Sequence, residues 1–412
     1  MNVHGSGARR PELVERALRG TPAHSLPEAL ATAVGELFPA AGPARILLAD
    51  YNLRALLPAD RALPGDPERE AVSVHGTAAG RAFAALAPVL DPGSPQVLYV
   101  PVTARGERLG VLAVPLTGPS GEADRAELAE IGRLTGEALA VAWNHTDRYE
   151  RARRHRRLSL AAELQWQLLP GQGCAGAEFS LAGHLEPAYS IGGDGYDWSS
   201  EPDHLALTVI NGAGTGIRAA LLTSLTLGAL RNARRSGAEL SEQVSLAGDV
   251  VYGRHGGTEF TETLVMRIEL ASGLVSVIDA GSPRILRMRG SQVTPIELER
   301  QLPPGMFADT EYHPEYFRLR PGDRLVIVSD GVFGGDGDGD GGGGGAAAFP
   351  VDRAVRRTRL LPAPEVPPSI IAALVEHRRG RDLTDDAVVV CLDWNGAATR
   401  TGGGADPAGP GR

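Results

Sequence analysis

The stretch Leu319-Arg320-Pro321-Gly322-Asp323-Arg324-Leu325-Val326-Ile327-Val328-Ser329-Asp330-Gly331-Val332 decides the fold of this 412-residue chain. Pro321-Gly322 signals a turn. Leu325–Val328 is a β-branched apolar run of buried-strand length, and Asp330-Gly331 closes it. A carboxylate is therefore delivered beside a strand end. Two further segments share this build. Leu205-Ala206-Leu207-Thr208-Val209-Ile210 runs into Asn211-Gly212-Ala213-Gly214-Thr215-Gly216. Thr384-Asp385-Asp386 leads into Ala387-Val388-Val389-Val390-Cys391-Leu392. A fourth acidic motif, Gly192-Gly193-Asp194-Gly195-Tyr196-Asp197, lies upstream.

A lone Asp-Gly pair after a strand is ordinarily a turn and nothing more. Four glycine-flanked sites in this order point to hard-cation chemistry. Mg²⁺ and Mn²⁺ take oxygen ligands and keep several waters. A two-metal site needs carboxylates converging from different strands so that the ions sit roughly 3.5–4 Å apart. Strands fix direction, and glycine beside a ligand lets backbone carbonyls and waters approach closely.

On these motifs the chain resembles the SpoIIE/RsbU-type branch of the PPM metal-dependent protein serine/threonine phosphatases, over roughly residues 158–394. Leu164-Gln165-Trp166-Gln167-Leu168-Leu169-Pro170 is similar to the family's opening helix ending in Leu-Leu-Pro. Pro187-Ala188 and Ile191–Asp197 follow. The Gly214–Ser224 stretch resembles the glycine turn and its helix, and Asp279-Ala280-Gly281-Ser282-Pro283 the Ala-Gly-His-Pro turn. The 319–332 stretch and Asp385–Val390 complete the set. The resemblance implies a C-terminal α-β-β-α sandwich that hydrolyses phosphoserine or phosphothreonine on a protein, using a water bridged by two Mn²⁺ or Mg²⁺ ions. Asp194, Asp330 and Asp385 would be metal ligands, the Gly212 carbonyl would bind one ion, and position 211 would bridge both. These five positions are also the expected catalytic set, Gly212 excepted. Such chemistry needs no protein nucleophile, because bound metals lower the pKa of water and neutralise phosphoryl oxygens.

The sequence departs from the family pattern in four places: Asn211 for the bridging Asp, Thr215 for His or Lys, Ser282 for His, and Glu262 where Thr is common. Asn211 weighs most, because an amide offers one neutral oxygen in place of a shared carboxylate. Changes around a metal site that spare its ligands already cost roughly 10–100-fold. Weakened activity, a need for high metal concentration, or loss of activity are the expected consequences. Asp197 or Asp386 would be the compensating acids, and deamidation at Asn211-Gly212 would restore the aspartate.

Composition sets the outer bounds. The length fits two or three domains. No apolar run approaches the ~18–20 residues of a membrane span, and the N-terminus has no signal-peptide core. Cys174 and Cys391 form no framework or metal spacing and read as thiols of a reducing, cytoplasmic compartment. A net charge of −9 argues against non-specific nucleic-acid binding. Residues 11–143 read as an α/β domain. It holds a helix over Leu26–Leu37 opened by Ser25, strands at 44–51, 98–101 and 108–114, and a long helix from about Ala123. That order resembles a GAF-type sensor domain for an unknown small-molecule or protein signal; a dimerisation or spacer module is the plainer alternative. No Cys–His pairing there points to haem, iron or a bilin.

Leu128, Ile131, Leu134, Ala138 and Val141 recur at helical spacing, which predicts one continuous helix near 123–157 and a parallel homodimer. The domain plan is 1–10 disordered, 11–143 sensor, 144–170 linker helix, 171–395 phosphatase and 396–412 disordered tail, with 334–348 a flexible Gly/Asp loop. Arg151, Arg153, Arg154, Arg156 and Arg157 read as a solvated helix face or as an anion-binding patch. The expected substrate is a phosphorylated STAS-type anti-sigma antagonist in partner-switching signalling. The alternatives are a pseudophosphatase that binds a phosphoprotein or anti-sigma factor, and a sensor on a phosphatase-like scaffold.

Overall fold

Side-chain parity along the C-terminal strands builds three layers of core. The structure, a computed structural model, describes residues 9–60, 71–93, 95–118, 121–154, 159–187, 192–333, 348–379 and 383–397. The Gly/Asp run up to 347, the tail beyond 397, residues 1–8, Arg156, Arg157, Ala188 and Ile191 lie outside them.

In β16 (Asp323–Val328), Leu325 and Ile327 face one way and Val326 and Val328 the other. In β17 (Ala387–Trp394), Val388, Val390 and Leu392 share the first face, Val389 and Cys391 the second. The same alternation divides β10 (His204–Gly212), whose Leu205, Leu207 and Val209 join the first cluster and Ile210 another. A period of two with both faces apolar demands cover on both sides.

Two antiparallel sheets meet that demand. One has the order β15 (Glu315–Arg318), β12 (Leu274–Ala280), β11 (Thr261–Glu269), β10, β9 (Gly195–Ser200). The other runs β14 (Gln292–Pro295), β13 (Arg284–Arg289), β16, β17, β8 (Phe179–Glu186), β7 (Gly173–Ala175). Their inner faces pack together through Leu181, Leu207, Val209, Leu264, Ile327 and Val390. The outer face of the first is covered by α7 (Gly216–Arg235) and α8 (Leu240–His255), through Leu227, Leu230 and Val244. The outer face of the second is covered by α10 (Val351–Arg357) and α11 (Val366–His377), through Val355, Ile370 and Leu374. The C-terminal part is thus the expected α-β-β-α sandwich.

The N-terminal part carries its own six-stranded antiparallel sheet. Its order is β3 (Val72–Ser73), β2 (Ala55–Pro58), β1 (Arg45–Ala49), β6 (Glu107–Leu116), β5 (Gln96–Ala104), β4 (Val89–Asp91). Its helices are α1 (Arg10–Arg19), α2 (Leu26–Leu37), α3 (Ala78–Ala85) and α4 (Glu122–Ala142). Ser25 precedes α2 as expected but makes no side-chain cap, because a 3₁₀ turn over Ala23–Ser25 leads into the helix. Among the described residues no helix is long and apolar enough to cross a membrane.

The expected single helix over 123–157 is broken. α4 ends at Ala142, a 3₁₀ turn covers Trp143–His145, and α5 spans Arg148–Arg153. Local bonds fold the chain back: Trp143 Nε1 donates to Glu150 at 2.6 Å, and the Trp143 and Tyr149 rings lie 5.7 Å apart. α6 (Leu160–Leu168) then leads into the sandwich. Of the apolar stripe on α4, Leu128 and Ile131 are buried within the chain, Leu134 and Ala138 are half-buried, and Val141 is exposed. Gly132 and Gly136 let α4 settle on β5: a Cβ at 136 would stand 2.1 Å from the Thr103 carbonyl oxygen.

Gly136→Ala should lower stability by about 1–3 kcal/mol, the usual scale of overpacking. Gly35→Ala, in α2 with nothing within 4 Å of the new methyl, should raise it by about 0.5–1 kcal/mol. Urea melts of the two variants check both signs.

Candidate active site

The inward-facing register carries past the apolar core to one rim of the sandwich, and there the side chains become acidic. Two residues beyond Val209 on the same face is Asn211, and two before Leu264 on its neighbour is Glu262. On the opposite sheet, the position two before Val388 is Asp386, and Ser329-Asp330 follow β16. The structure therefore brings Asp194, Asn211, Gly212, Asp330 and Asp385 to one place.

Glycines make the approach possible. Gly212 N donates to the Gly193 carbonyl at 3.1 Å, and a Cβ on Gly193 would lie 2.7 Å from Gly212 Cα. A Cβ on Gly192 would stand 2.8 Å from Asp385 Oδ1, and one on Gly331 only 2.0 Å from the Asp386 carbonyl. The Gly193 carbonyl also accepts from the Thr223 hydroxyl of α7.

Asp194 is fully buried, and among the described residues neither carboxylate oxygen has a hydrogen-bond partner. Burial pushes its carboxyl well above the ordinary range, and the charges of Asp386, Asp385 and Asp330 push the same way. The Ser329 hydroxyl is near enough to temper the shift but not in hydrogen-bonding geometry. Burial likewise lifts Asp385 to about 6, against the pull of the Asp386 N–H bonded to it at 2.8 Å. Asp330 is raised by burial and then by Glu262, while a hydrogen bond from Asn211 opposes the rise.

Asn211 donates its amide to Asp330 Oδ1 at 2.8 Å and to Ser282 Oγ at 3.0 Å. Of the two acids expected to stand in for it, Asp197 is committed elsewhere, paired with Arg231 at 2.8 Å and Arg234 at 3.0 Å. Asp386 does join the pocket, where its Oδ2 accepts from Gln165 Nε2 at 2.5 Å. That same amide nitrogen donates to the Asp194 carbonyl at 2.8 Å.

Oxygen donors of uncompensated negative charge fit a hard divalent cation in kind. Their arrangement is open: among the described residues no three His, Cys, Asp or Glu side chains are grouped closely enough to hold a metal ion. Gln165 and Glu262 are the pocket residues whose roles sequence reading missed. Gln165 sat inside the quoted 164–170 stretch, and its signal was a polar residue on a helix's buried face. Glu262 was visible only as a departure, since strand register alone puts it beside Asn211.

Residues 201–395 match the family model of stage II sporulation protein E, SpoIIE. This part of the chain has a PPM/SpoIIE-type phosphatase-like fold. Among solved structures, the RsbU and RsbW domains of a Mycobacterium tuberculosis protein share 18% identity, with a TM-score of 0.45 over 53% of this chain and 62% of that one. The Bacillus subtilis SpoIIE phosphatase domain with a regulatory fragment shares 19%, with a TM-score of 0.44 over 53% and 65%. The SiaA PP2C domain of Pseudomonas aeruginosa shares 18%, with a TM-score of 0.45 over 52% and 85%. The chain therefore spans less than two thirds of the first two. No curated protein sequence matches it.

An acid with a raised folded-state pKa destabilises the fold once ionised. The cost is absent below its unfolded pKa, grows as pH rises, and is complete above the folded value. For Asp385 that window runs from about 4 to about 6. In chelator, the melting temperature of Asp385→Asn should pull ahead of wild type across this window and stay ahead above it. Asp194→Asn should gain on the order of 1–3 kcal/mol at pH 7.5, the scale of an unpartnered buried polar group. Thermal melts against pH check both.

Proposed function

We propose that this chain is a divalent-metal-dependent protein serine/threonine phosphatase of SpoIIE/RsbU type. The observation that carries the reading is Asp194, a fully buried carboxylate that has no hydrogen-bond partner among the described residues and sits among like charges. A fold does not maintain such a group for stability. Asp194, Asp330 and Asp385, with the Gly212 carbonyl, would hold Mn²⁺ or Mg²⁺, and Asn211 would stand between the two positions. Bound there, the cations would lower the pKa of an attacking water and draw charge from the phosphoryl oxygens. The protein's own contribution is rigidity: Gly192, Gly193 and Gly331 let the backbone close around the carboxylates, and Gln165 orients Asp386.

The substrate class we assign is a phosphorylated STAS-type anti-sigma antagonist, on the strength of the family resemblance. The N-terminal sheet and its helices would serve as a GAF-like sensor, in a cytoplasmic homodimer joined through the region 144–170. A pseudophosphatase is the second reading, and one observation favours it. The Asn211 amide competes for Asp330 Oδ1, the oxygen a cation would use.

Hydrolysis of a phosphoserine peptide by the full chain, titrated with Mn²⁺, separates the two readings. An enzyme turns over in a metal-dependent way, loses at least about a hundredfold in Asp330→Asn, and needs severalfold less Mn²⁺ in Asn211→Asp. If wild type and Asn211→Asp are both inert at saturating Mn²⁺, the chain is a binder.

A further inference from the structure

A cavity of about 470 Å³ lies between the N-terminal sheet and the sandwich, the size of a small-molecule site. Both halves line it. Trp143, Glu150 and Arg153 come from the reversal after α4, Glu107 from the start of β6, and Trp166 from α6.

Some of its polar groups are matched within the chain. Glu150 accepts from Trp143 Nε1 at 2.6 Å and from the Tyr51 hydroxyl. The Tyr196 hydroxyl donates to the Gly171 carbonyl at 3.2 Å. Two charges are not matched. Glu107 is half-buried and accepts a backbone bond from Gln172, but forms no salt bridge among the described residues. Burial pushes its carboxyl up, and Arg153 pulls it down only from a distance. Gly171, at φ +120°, makes room for it: a Cβ there would stand 3.0 Å from Glu107 Oε2. Arg153 is the second. Its Nε donates to the Ala49 carbonyl at 2.8 Å, and its guanidinium lies over the rings of Tyr51 and Trp143, 4.6 and 5.2 Å from their centres. Among the described residues no carboxylate pairs with it and its terminal nitrogens have no hydrogen-bond partner. A guanidinium stacked on aromatic faces keeps its edge for a carboxylate.

We infer that this cavity binds a zwitterionic small molecule of the α-amino acid class, with its ammonium on Glu107, its carboxylate on Arg153 and its apolar side chain against Trp166 and Leu109. Two opposite charges that share a cavity without meeting lose hydration and recover little of it from each other. A ligand carrying both charges satisfies both. A simple anion would face Glu107 and Glu150 unaided, and a simple cation would face Arg153. The bound molecule would touch α6 one residue from Gln165, so filling the cavity and holding the acidic rim fall to the same helix. The inference stands apart from the phosphatase reading.

L-phenylalanine is the probe, titrated into the full chain and followed by tryptophan fluorescence, because Trp143 and Trp166 both line the cavity. Saturation is expected at or below about 1 mM. Phenethylamine lacks the carboxylate and phenylacetate lacks the ammonium; each should bind at least about tenfold more weakly, the scale of one lost charged hydrogen bond. Glu107→Gln and Arg153→Gln should each weaken L-phenylalanine by a similar factor, while Glu107→Gln spares phenylacetate and Arg153→Gln spares phenethylamine. Circular dichroism melts confirm that the variants fold; where one does not, the comparison of the three ligands on wild type decides alone. No saturable change up to about 10 mM L-phenylalanine overturns the inference. So does an analogue that binds as tightly as L-phenylalanine, or a folded variant of either residue that binds it as wild type does.

Discussion

Repulsion among carboxylates at one end of a β-sandwich is the constraint around which the C-terminal half is arranged. Among the described residues the Asp194 carboxylate has no hydrogen-bond partner, and its pKa is raised by burial and three neighbouring acids. Elsewhere the chain neutralises buried acids promptly. Asp323 is gripped by Arg289 through two 2.6 Å bonds, Asp393 by Arg324, and Asp197 by two arginines. Among the described residues no arginine acts on Asp194, Asp330 or Asp385. The polar support of the rim acids includes, among the described residues, the neutral amides of Gln165 and Asn211 and the Asp386 backbone N–H. Neutral donors orient a carboxylate without cancelling its charge, which leaves the pocket able to attract a cation.

The strands were legible because their residues obey a simple rule. Leu325–Val328 and Ala387–Leu392 are apolar on both faces, and the structure buries one face between sheets and the other under helices. The four motifs were legible because they recur in order, although any one Asp-Gly pair at a strand end would read as a turn. What escaped was whatever depends on pairing. That Glu262 stands opposite Asn211 is a fact of register, and register is set by the hairpins and the core together. The fate of Asp197 escaped for a similar reason, since Arg231 and Arg234 reach it from a helix more than thirty residues onward.

The long helix was misjudged for a different physical reason. Periodicity runs through Leu128, Ile131 and Leu134, and nothing in that pattern signals a break. At the break the Trp143 and Tyr149 rings pack on each other, Trp143 Nε1 donates to Glu150, and the Tyr149 hydroxyl donates to the Ala23 carbonyl. Gly132 and Gly136, which a propensity argument would count against a helix, are what seat α4 on its sheet.

One step of α6 carries two contacts. Trp166 rests on Tyr51 of the N-terminal sheet's neighbourhood, ring centres 5.1 Å apart, while the preceding residue, Gln165, bridges Asp194 and Asp386. Successive helical residues point about 100° apart, so the two side chains are spokes of one short axle. The indole contact with Tyr51 and the amide contacts at the acidic rim are thus fixed by the same short helix. The two halves of the molecule are therefore geared together at a single helical step.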